Sequence, residues 1–187
     1  MILCVDIGFA SLGYCIADTQ GTILEVGLCR TQKVKGLASP VDALSRCRSL
    51  AKQLKEVIAR REGISLVRAE SPSYPRHAST STKLGMAWGV LMAVVPEGVK
   101  VEIISPQLIR KNLGLAKGAT KDDLCTVVRN AYPDQFLQIG GSYPDALRQH
   151  IVDAMCVSLT TSVEGHFNEI ETARPVKGRA PKSLNLR

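Results

Sequence analysis

The chain opens with MILCVDIG (residues 1–8), a run of five mostly apolar residues that leads into a carboxylate and a glycine. A strand this apolar is typical of the middle of a mixed sheet, where both faces are covered. Alternation places Cys4 and Asp6 on one face of the strand and Leu3 and Val5 on the other. Asp6 therefore ends a central strand, where an unpaired charge would be costly. It is either a turn aspartate that caps the strand or a ligand of a divalent cation.

The composition indicates one globular domain in a reducing compartment. A chain of 187 residues can bury a core that needs no disulfides. Its six cysteines show no C-x-x-C spacing, so we interpret them as small core residues of a reduced, intracellular, cytoplasmic protein. No apolar run approaches the length of a membrane span, and no signal peptide is recognised, so no membrane partner is expected. The net charge of +7 favours an anionic partner, with nucleic acid as one candidate.

Hydrophobic periodicity predicts three antiparallel strands followed by alternating helices and strands. After this meander, which ends at residue 31, the predicted elements are a helix over 39–61, a strand over 64–70, a helix over 84–95, a strand over 99–104, and helices over 121–132 and 144–164. Ser39 is the predicted N-cap of the first helix, with Pro40 in its first turn. Residues 71–83 and 133–143 are predicted to be loops. Because a strand after a long helix lies parallel to the strand before it, we expect a five-stranded mixed sheet with helices on both faces.

The strand at residues 64–70 repeats the opening pattern, since its apolar run ends in Glu70. If this strand pairs beside the first, Glu70 and Asp6 meet at the edge of the sheet where ligands of such folds bind. Two acids placed together repel each other unless a cation lies between them. A lone glutamate at a strand end is more often structural, but two acids on adjacent strands favour a metal site.

The last predicted helix carries a third group of candidate ligands. Its apolar residues recur every four positions and face the sheet: Leu147, Ile151, Met155 and Leu159. His150 and Asp153, three residues apart, project together from the edge of this face. A core histidine bonded to a neighbouring acid would explain the pair, and so would two further ligands of a metal cluster with Asp6 and Glu70. Asp145, in the first turn, suits the helix dipole and is left out of the site.

Basic residues with few acids beside them mark three further stretches. Residues 107–121 hold four basic residues and no acid: Arg110, Lys111, Lys117 and Lys121. They are typical of a phosphate-contacting stretch or of a solvated basic loop. In the polar stretch 71–83, Tyr74 with Arg76 nearby would suit stacking on an exposed base, or an ordinary loop. We predict one folded domain over residues 1–165 and a basic, disordered tail over 166–187.

An acid on the first strand, an acid on the fourth and His-x-x-Asp on the last helix resemble the ribonuclease H-like nucleases. Within that superfamily the chain resembles the RuvC family of Holliday junction resolvases over about residues 1–161. The most specific parts are Asp6-Ile-Gly followed by Gly13-Tyr, then Glu70, the LGMAWG helix segment and His150-x-x-Asp. Two positions depart from the family pattern. Ile7 stands where the family usually has proline, and Tyr74 comes one residue later than the family's aromatic.

The resemblance implies a ribonuclease H-like fold and a metal-dependent DNA endonuclease. Its ligands would be Asp6, Glu70, His150 and Asp153, which would hold two Mg²⁺ or Mn²⁺ ions. The family acts as a homodimer that nicks two opposed strands of a four-way junction and leaves 5′-phosphate ends. The helix over 84–95 would be the dimer contact. Such a protein would work at the nucleoid or, for a viral member, in the infected cell.

Three other interpretations stay open at this point. Another ribonuclease H-like nuclease, acting on branched DNA or on pre-ribosomal RNA, would use the same ligands. An actin-like ATPase also begins with an acid and glycine at a strand end, but it needs a second similar domain, which 187 residues cannot supply. A non-catalytic junction-binding protein is the third, and the full set of four ligands argues against it.

Overall fold

In a computed structural model, residues 1–72 and 77–160 are described, and their centre is a five-stranded mixed sheet. The strands are β1 (Ile2–Asp6), β2 (Ser11–Ala17), β3 (Ile23–Arg30), β4 (Leu66–Glu70) and β5 (Lys100–Ile104). They lie in the order β3-β2-β1-β4-β5, with β1 in the middle. β1 is antiparallel to β2 and parallel to β4, and β4 is parallel to β5. The predicted sheet of three antiparallel strands and two parallel ones is therefore confirmed.

Helices cover both faces of the sheet. They are α1 (Ser39–Ala59), α2 (Ala78–Val94), α3 (Pro106–Asn112), α4 (Lys121–Ala131), α5 (Pro133–Ser142) and α6 (Asp145–Ser158). α1 and α2 pack on the face that carries Leu3 and Val5. α6, supported by α3, α4 and α5, packs on the face that carries Cys4 and Cys15. The alternation predicted for the opening strand thus divides the core into two layers, one on each side of β1.

The contact between α6 and β2 depends on Gly13. A Cβ atom at this position would collide with the carbonyl group of His150 and lie 2.8 Å from the amide nitrogen of Ile151. Glycine is the one residue without a Cβ, so it lets the helix backbone lie directly on the strand. This close approach sets the distance between α6 and the sheet at His150, a residue of the candidate site.

Several predicted boundaries are wrong. α2 begins at Ala78 rather than at residue 84, so its first turns come from the stretch predicted to be a loop. α3 forms within the basic stretch that follows β5. Ser39 is the first residue of α1, and the N-cap position belongs to Ala38 with no side-chain cap. α6 ends at Ser158 rather than at residue 164.

Residues 133–142 form α5, which the sequence pattern predicts to be a loop. Gly140 and Gly141 lower the intrinsic helix propensity of this stretch. Phe136 and Ile139, however, lie three residues apart and bury their side chains in the α6 layer of the core. The burial of these two side chains stabilises a helix that local propensity disfavours.

The cysteines behave as the sequence predicts. All six have free thiols, and Cys4, Cys15, Cys29 and Cys156 are buried. In residues 1–72 and 77–160, no helix is both long and apolar enough to cross a membrane. The predicted tail over 166–187 lies outside the described residues.

Candidate active site

Asp6 and Glu70 end adjacent parallel strands at the same edge of the sheet. The register pairs Val5 with Ala69, so the next residue on each strand is one of these two acids. Both side chains point to the face that α6 covers, because each lies two positions beyond a residue of that face, Cys4 and Arg68. The structure therefore brings the two strand-end carboxylates together under one helix.

α6 adds His150 and Asp153 to this pair. The Nδ1 atom of His150 lies 2.6 Å from the Oδ2 atom of Asp6. The side chain of His150 is about one-third exposed and that of Asp6 one-fifth, so the contact lies at the edge of the core. Asp153 is farther inside, and its Oδ1 atom accepts a hydrogen bond of 2.7 Å from the Nε2 atom of Gln149. The four candidate ligands thus come from β1, β4 and two successive turns of α6.

The two more buried acids carry unbalanced negative charge. Burial, with repulsion from Asp6 and Asp153, raises the pKa of Glu70 to about 7. Burial and repulsion from Asp6 likewise raise the pKa of Asp153 to about 6, although the Gln149 hydrogen bond opposes the shift. Such shifts mean that the protein alone does not supply enough positive charge for its carboxylates. A group of acids with raised pKa values at the carboxyl edge of a sheet is a functional-site candidate.

His150 supplies part of the missing charge. Its hydrogen bond with Asp6 raises the pKa of His150 above 6.5, and the negative charges of Asp6 and Asp153 add to this effect. Burial acts in the opposite direction. The imidazole therefore keeps its proton to a higher pH than an unperturbed histidine does, and the proton strengthens its contact with Asp6. A cation that binds these carboxylates would have to displace that proton.

A cleft of about 140 Å³ lies beside the acids. Its charged lining consists of Glu70, Asp153, Arg110 and Lys121, and its apolar lining comes from Pro106, Ile109, Leu124 and Cys156. Arg110 lies on α3 and Lys121 is the first residue of α4, so two different elements bring these cations to the acids. Both of them lower the pKa of Glu70, against the larger effect of burial.

Arg110 has a buried donor that the described part of the protein leaves unpaired. Its Nη1 atom donates a hydrogen bond of 3.4 Å to the carbonyl oxygen of Pro106. Its Nε atom is buried without a hydrogen-bond partner among the described residues. A phosphate oxygen is a natural acceptor for such a donor. The position of Arg110 therefore fits the phosphate contact predicted from the sequence.

The remaining predicted nucleic-acid contacts either do not line the cleft or lie outside the described residues. Lys111 and Lys117 are exposed and do not line the cleft. Tyr74 and Arg76 lie outside the described residues. Of the six side chains predicted to contact DNA, the structure therefore brings Arg110 and Lys121 to the candidate site.

The donor set fits a hard divalent cation in its chemistry. Three carboxylates and one imidazole are ligands that Mg²⁺ and Mn²⁺ accept, and the raised pKa values show that added positive charge would stabilise the ionised acids. As they stand, however, no three His, Cys, Asp or Glu side chains in residues 1–72 and 77–160 are arranged to hold a metal ion. Two of the candidate ligands are instead bonded within the protein, His150 to Asp6 and Asp153 to Gln149. Cation binding would replace the first of these hydrogen bonds.

Two supporting residues are missing from the sequence prediction. Arg68, buried on β4, donates from Nε to Glu102 over 2.7 Å and from Nη1 to the carbonyl oxygen of Thr160 over 2.8 Å. It ties the C-terminal end of α6 to the strand that carries Glu70. An arginine in the middle of an apolar strand is the signal that could have revealed it, because a buried charge needs a partner. Gln149 lies four residues before Asp153, so helical spacing could have predicted the hydrogen bond between these two side chains.

Comparisons with known proteins identify the fold. No protein-family model matches the sequence, and no curated protein matches it significantly. Among solved structures, RuvC from Thermus thermophilus in complex with its Holliday junction substrate matches with a TM-score of 0.63 and 20% identity over 84% of this chain and 90% of that one. The yeast mitochondrial Holliday junction resolvase matches with a TM-score of 0.59 and 13% identity over 84% and 75%. The fowlpox virus resolvase with its junction DNA matches with a TM-score of 0.50 and 19% identity over 85% and 96%. The chain has the fold of these resolvases, as its resemblance to the RuvC family predicts.

Proposed function

We propose that this protein is a metal-dependent endonuclease that resolves four-way DNA junctions by paired nicks. The observation that carries the proposal is the meeting of Asp6, Glu70, His150 and Asp153 at one edge of the sheet, with the raised pKa values of Glu70 and Asp153. The fold shared with solved resolvases of bacterial, mitochondrial and viral origin supports DNA junctions as the substrate.

The inferred reaction is hydrolysis of a phosphodiester. A water oxygen bonds to phosphorus, the bond from phosphorus to the 3′ oxygen breaks, and the products are a 5′-phosphate and a 3′-hydroxyl. Bound Mg²⁺ or Mn²⁺ would supply Lewis acidity and a more acidic water, as in two-metal nucleases. The four ligands hold that positive charge, and Arg110 and Lys121 bind the phosphate from the cleft beside Glu70.

Cleavage of both strands of a symmetric junction requires two sites, so we propose a homodimer through α2. From Leu84 onward this helix is apolar on its exposed side as well as on the side that packs into the core through Ala87 and Leu91. The space around Gly85 and Gly89 is open, and Met92 is 42% exposed on the same surface. Small residues four apart let the backbones of two helices approach closely. Gly89→Leu is expected to yield monomers in light scattering, whereas a wild type that cleaves as a monomer would refute this contact.

The test of the catalytic proposal uses purified protein on synthetic four-way junctions, duplexes and RNA–DNA hybrids, with and without Mg²⁺ or Mn²⁺. Asp6→Asn and Glu70→Gln should reduce cleavage by a factor of about 100 or more. Junction binding should be retained or improved, because each change removes negative charge that faces the phosphates. Asp145→Asn is the matched control, since this exposed acid lies on α6 outside the site and pairs with Arg148.

Each result has a distinct meaning. Asp6→Asn or Glu70→Gln proteins that cut at the wild-type rate would remove those residues from catalysis. A wild type that binds junctions but cuts them with neither cation would be a non-catalytic junction-binding protein. Equal cleavage of junctions and of RNA–DNA hybrids would instead indicate a different ribonuclease H-like nuclease.

A further inference from the structure

The edge of the sheet that carries the acids has a second basic flank, on the side away from Arg110 and Lys121. β3 is the outermost strand on that side, and it ends at this edge because β2 is antiparallel to both β1 and β3. The chain then continues to α1 through residues 30–38, here called the β3–α1 segment. Three of its side chains are exposed cations: Arg30, Lys33 and Lys35. None of them belongs to the basic stretch predicted to contact phosphates.

The β3–α1 segment is bonded to the turn that directly follows Asp6. The amide nitrogen of Thr31 donates to the carbonyl oxygen of Ala10 over 2.9 Å, and its hydroxyl donates to the carbonyl oxygen of Phe9 over 2.6 Å. Arg46, on α1, donates to the hydroxyl of Thr31 over 3.0 Å and lies 4.4 Å from the centre of the Phe9 ring. These contacts hold the start of the segment at a set distance from Asp6.

The cations of the segment are not neutralised by the protein. Asp42 is the one acid in residues 30–46, and its side chain is turned inward. It accepts from the amide nitrogen of Val34 over 2.8 Å, lies 3.9 Å from Arg46 and is 6% exposed. Within the described part of the chain, no carboxylate pairs with Lys33 or Lys35. Their charges therefore face solvent on the same edge as the acids.

We propose that the β3–α1 segment binds the phosphate backbone of a DNA arm on the far side of the cleavage site. The inference rests on the proposed function and adds a second anchoring point to it. DNA that crosses the edge would be held by Arg110 and Lys121 on the β5 side and by Lys33 and Lys35 on the β3 side. The acids then lie between two basic flanks, so the scissile phosphate is positioned from both directions.

The sheet provides a length scale for this contact. β3 lies two inter-strand spacings from β1, which is about 10 Å at about 4.8 Å for each spacing. For an arm whose axis runs across the strands of the sheet, the phosphates of one B-DNA strand are spaced by about 3.4 Å along the helix axis. The phosphates bound by Lys33 and Lys35 should therefore lie about three nucleotides from the scissile phosphate.

The test measures binding of a synthetic four-way junction in EDTA, where no cleavage occurs, as a function of salt concentration. The test variant is Lys33→Gln/Lys35→Gln. Its control is Lys52→Gln/Lys55→Gln, which removes the same net charge from two exposed lysines on α1. The first variant should bind the junction about tenfold more weakly. The slope of log K against log salt should become less negative by about 2, because two phosphate contacts are lost. The control should change affinity by less than about twofold.

A neutral methylphosphonate locates the contact. Placed about three nucleotides from the cleavage site, it should weaken wild-type binding but have little further effect on the Lys33→Gln/Lys35→Gln protein, because each change removes the same interaction. Equal salt slopes for the two double variants, with no coupling to the methylphosphonate, would overturn the proposal and favour a protein partner at the exposed Val34 and Leu37. Cleavage by the wild type with added cations is measured separately. If the wild type does not cleave the junction, the proposed function is refuted, but the binding result stands.

Discussion

Gly13→Ala offers a sharp test of how the candidate site is positioned. The substitution adds a single methyl group to β2, at the point where α6 lies on the strand. That methyl would collide with the carbonyl group of His150, and the obstacle is helix backbone rather than a flexible side chain. Relief requires movement of α6 away from the sheet by roughly 1 Å, because Cβ atoms essentially never approach within 3.0 Å of such atoms. The candidate ligands His150 and Asp153 would move with the helix.

The expected magnitude follows from these contacts. Overpacking of a close-packed core costs about 1–3 kcal/mol, and the upper part of that range applies here because backbone must move. For a domain of this size, about 3 kcal/mol corresponds to a fall in Tm of roughly 6–12 °C. A displacement of about 1 Å in catalytic groups can reduce the rate by about 100-fold. Folded Gly13→Ala protein should therefore lose most of its cleavage activity even below its lowered Tm.

Thermal unfolding and cleavage of a four-way junction with Mn²⁺ measure the two effects. Gly141→Ala is the matched control, because a Cβ at this exposed position of α5 meets open space. That control should keep full activity and gain about 0.5–1 kcal/mol of stability from improved helix propensity. A Gly13→Ala protein with unchanged Tm and unchanged cleavage would refute the claim that α6 is seated through this glycine.

The remaining predictions concern charge in and near the site. Arg68→Met should destabilise the fold by about 3 kcal/mol in urea unfolding, because it leaves the mostly buried Glu102 with only its longer contact of 3.9 Å to Lys100 and releases the carbonyl of Thr160. Arg68→Lys should recover part of the loss. In EDTA the protein should melt at a higher temperature at pH 5.5 than at pH 8. The pKa values of Glu70 and Asp153 are about 7 and about 6, above the ordinary 4.5 and 3.8. Between about pH 4 and pH 7 the folded state therefore holds protons that the unfolded chain has released, and the free energy of unfolding falls as the pH rises. Added Mn²⁺ at pH 8 should reverse that loss, and no pH dependence at all would contradict the raised pKa values. Because of His150 the enzyme should be more active with Mn²⁺ than with Mg²⁺. Its activity should fall on acidification, beginning at a higher pH than for an unperturbed histidine, since the pKa of His150 is raised and the imidazole must be neutral to bind a cation. His150→Asp should keep cleavage and shift preference toward Mg²⁺, whereas full activity in His150→Ala would reduce this residue to a core histidine.

Much of the sheet could be predicted because its signals are local. An apolar run that ends in a carboxylate identifies β1 and β4, and the long helix between them requires a parallel crossover. These two facts place Asp6 beside Glu70, and helical spacing then brings His150 and Asp153 to one side of α6. The capping box of α4 is equally local, since Thr120 and Asp123 lie three residues apart and bond to each other.

Other features arise from contacts between residues far apart in the chain. The helical state of α5 depends on burial of Phe136 and Ile139 in the core layer around α6, which outweighs the propensity of its two glycines. Arg68 becomes an anchor for α6 because Glu102 lies opposite it on β5 and Thr160 lies above it. The nucleic-acid contacts predicted for residues 110–121 separate into Arg110 and Lys121 at the cleft and Lys111 and Lys117 outside it.

The sequence by itself determined which residues are the candidate ligands and which strands or helix carry them. Only the tertiary structure decided how those residues are charged and spaced, because burial and neighbouring groups set the pKa values of Glu70, Asp153 and His150. The height of α6 over β2 likewise depends on a missing methyl group at Gly13, which acts on a helix more than 130 residues away in the chain. Local periodicity encodes the faces of strands and helices, whereas electrostatics and packing depend on what the folded chain places next to each face.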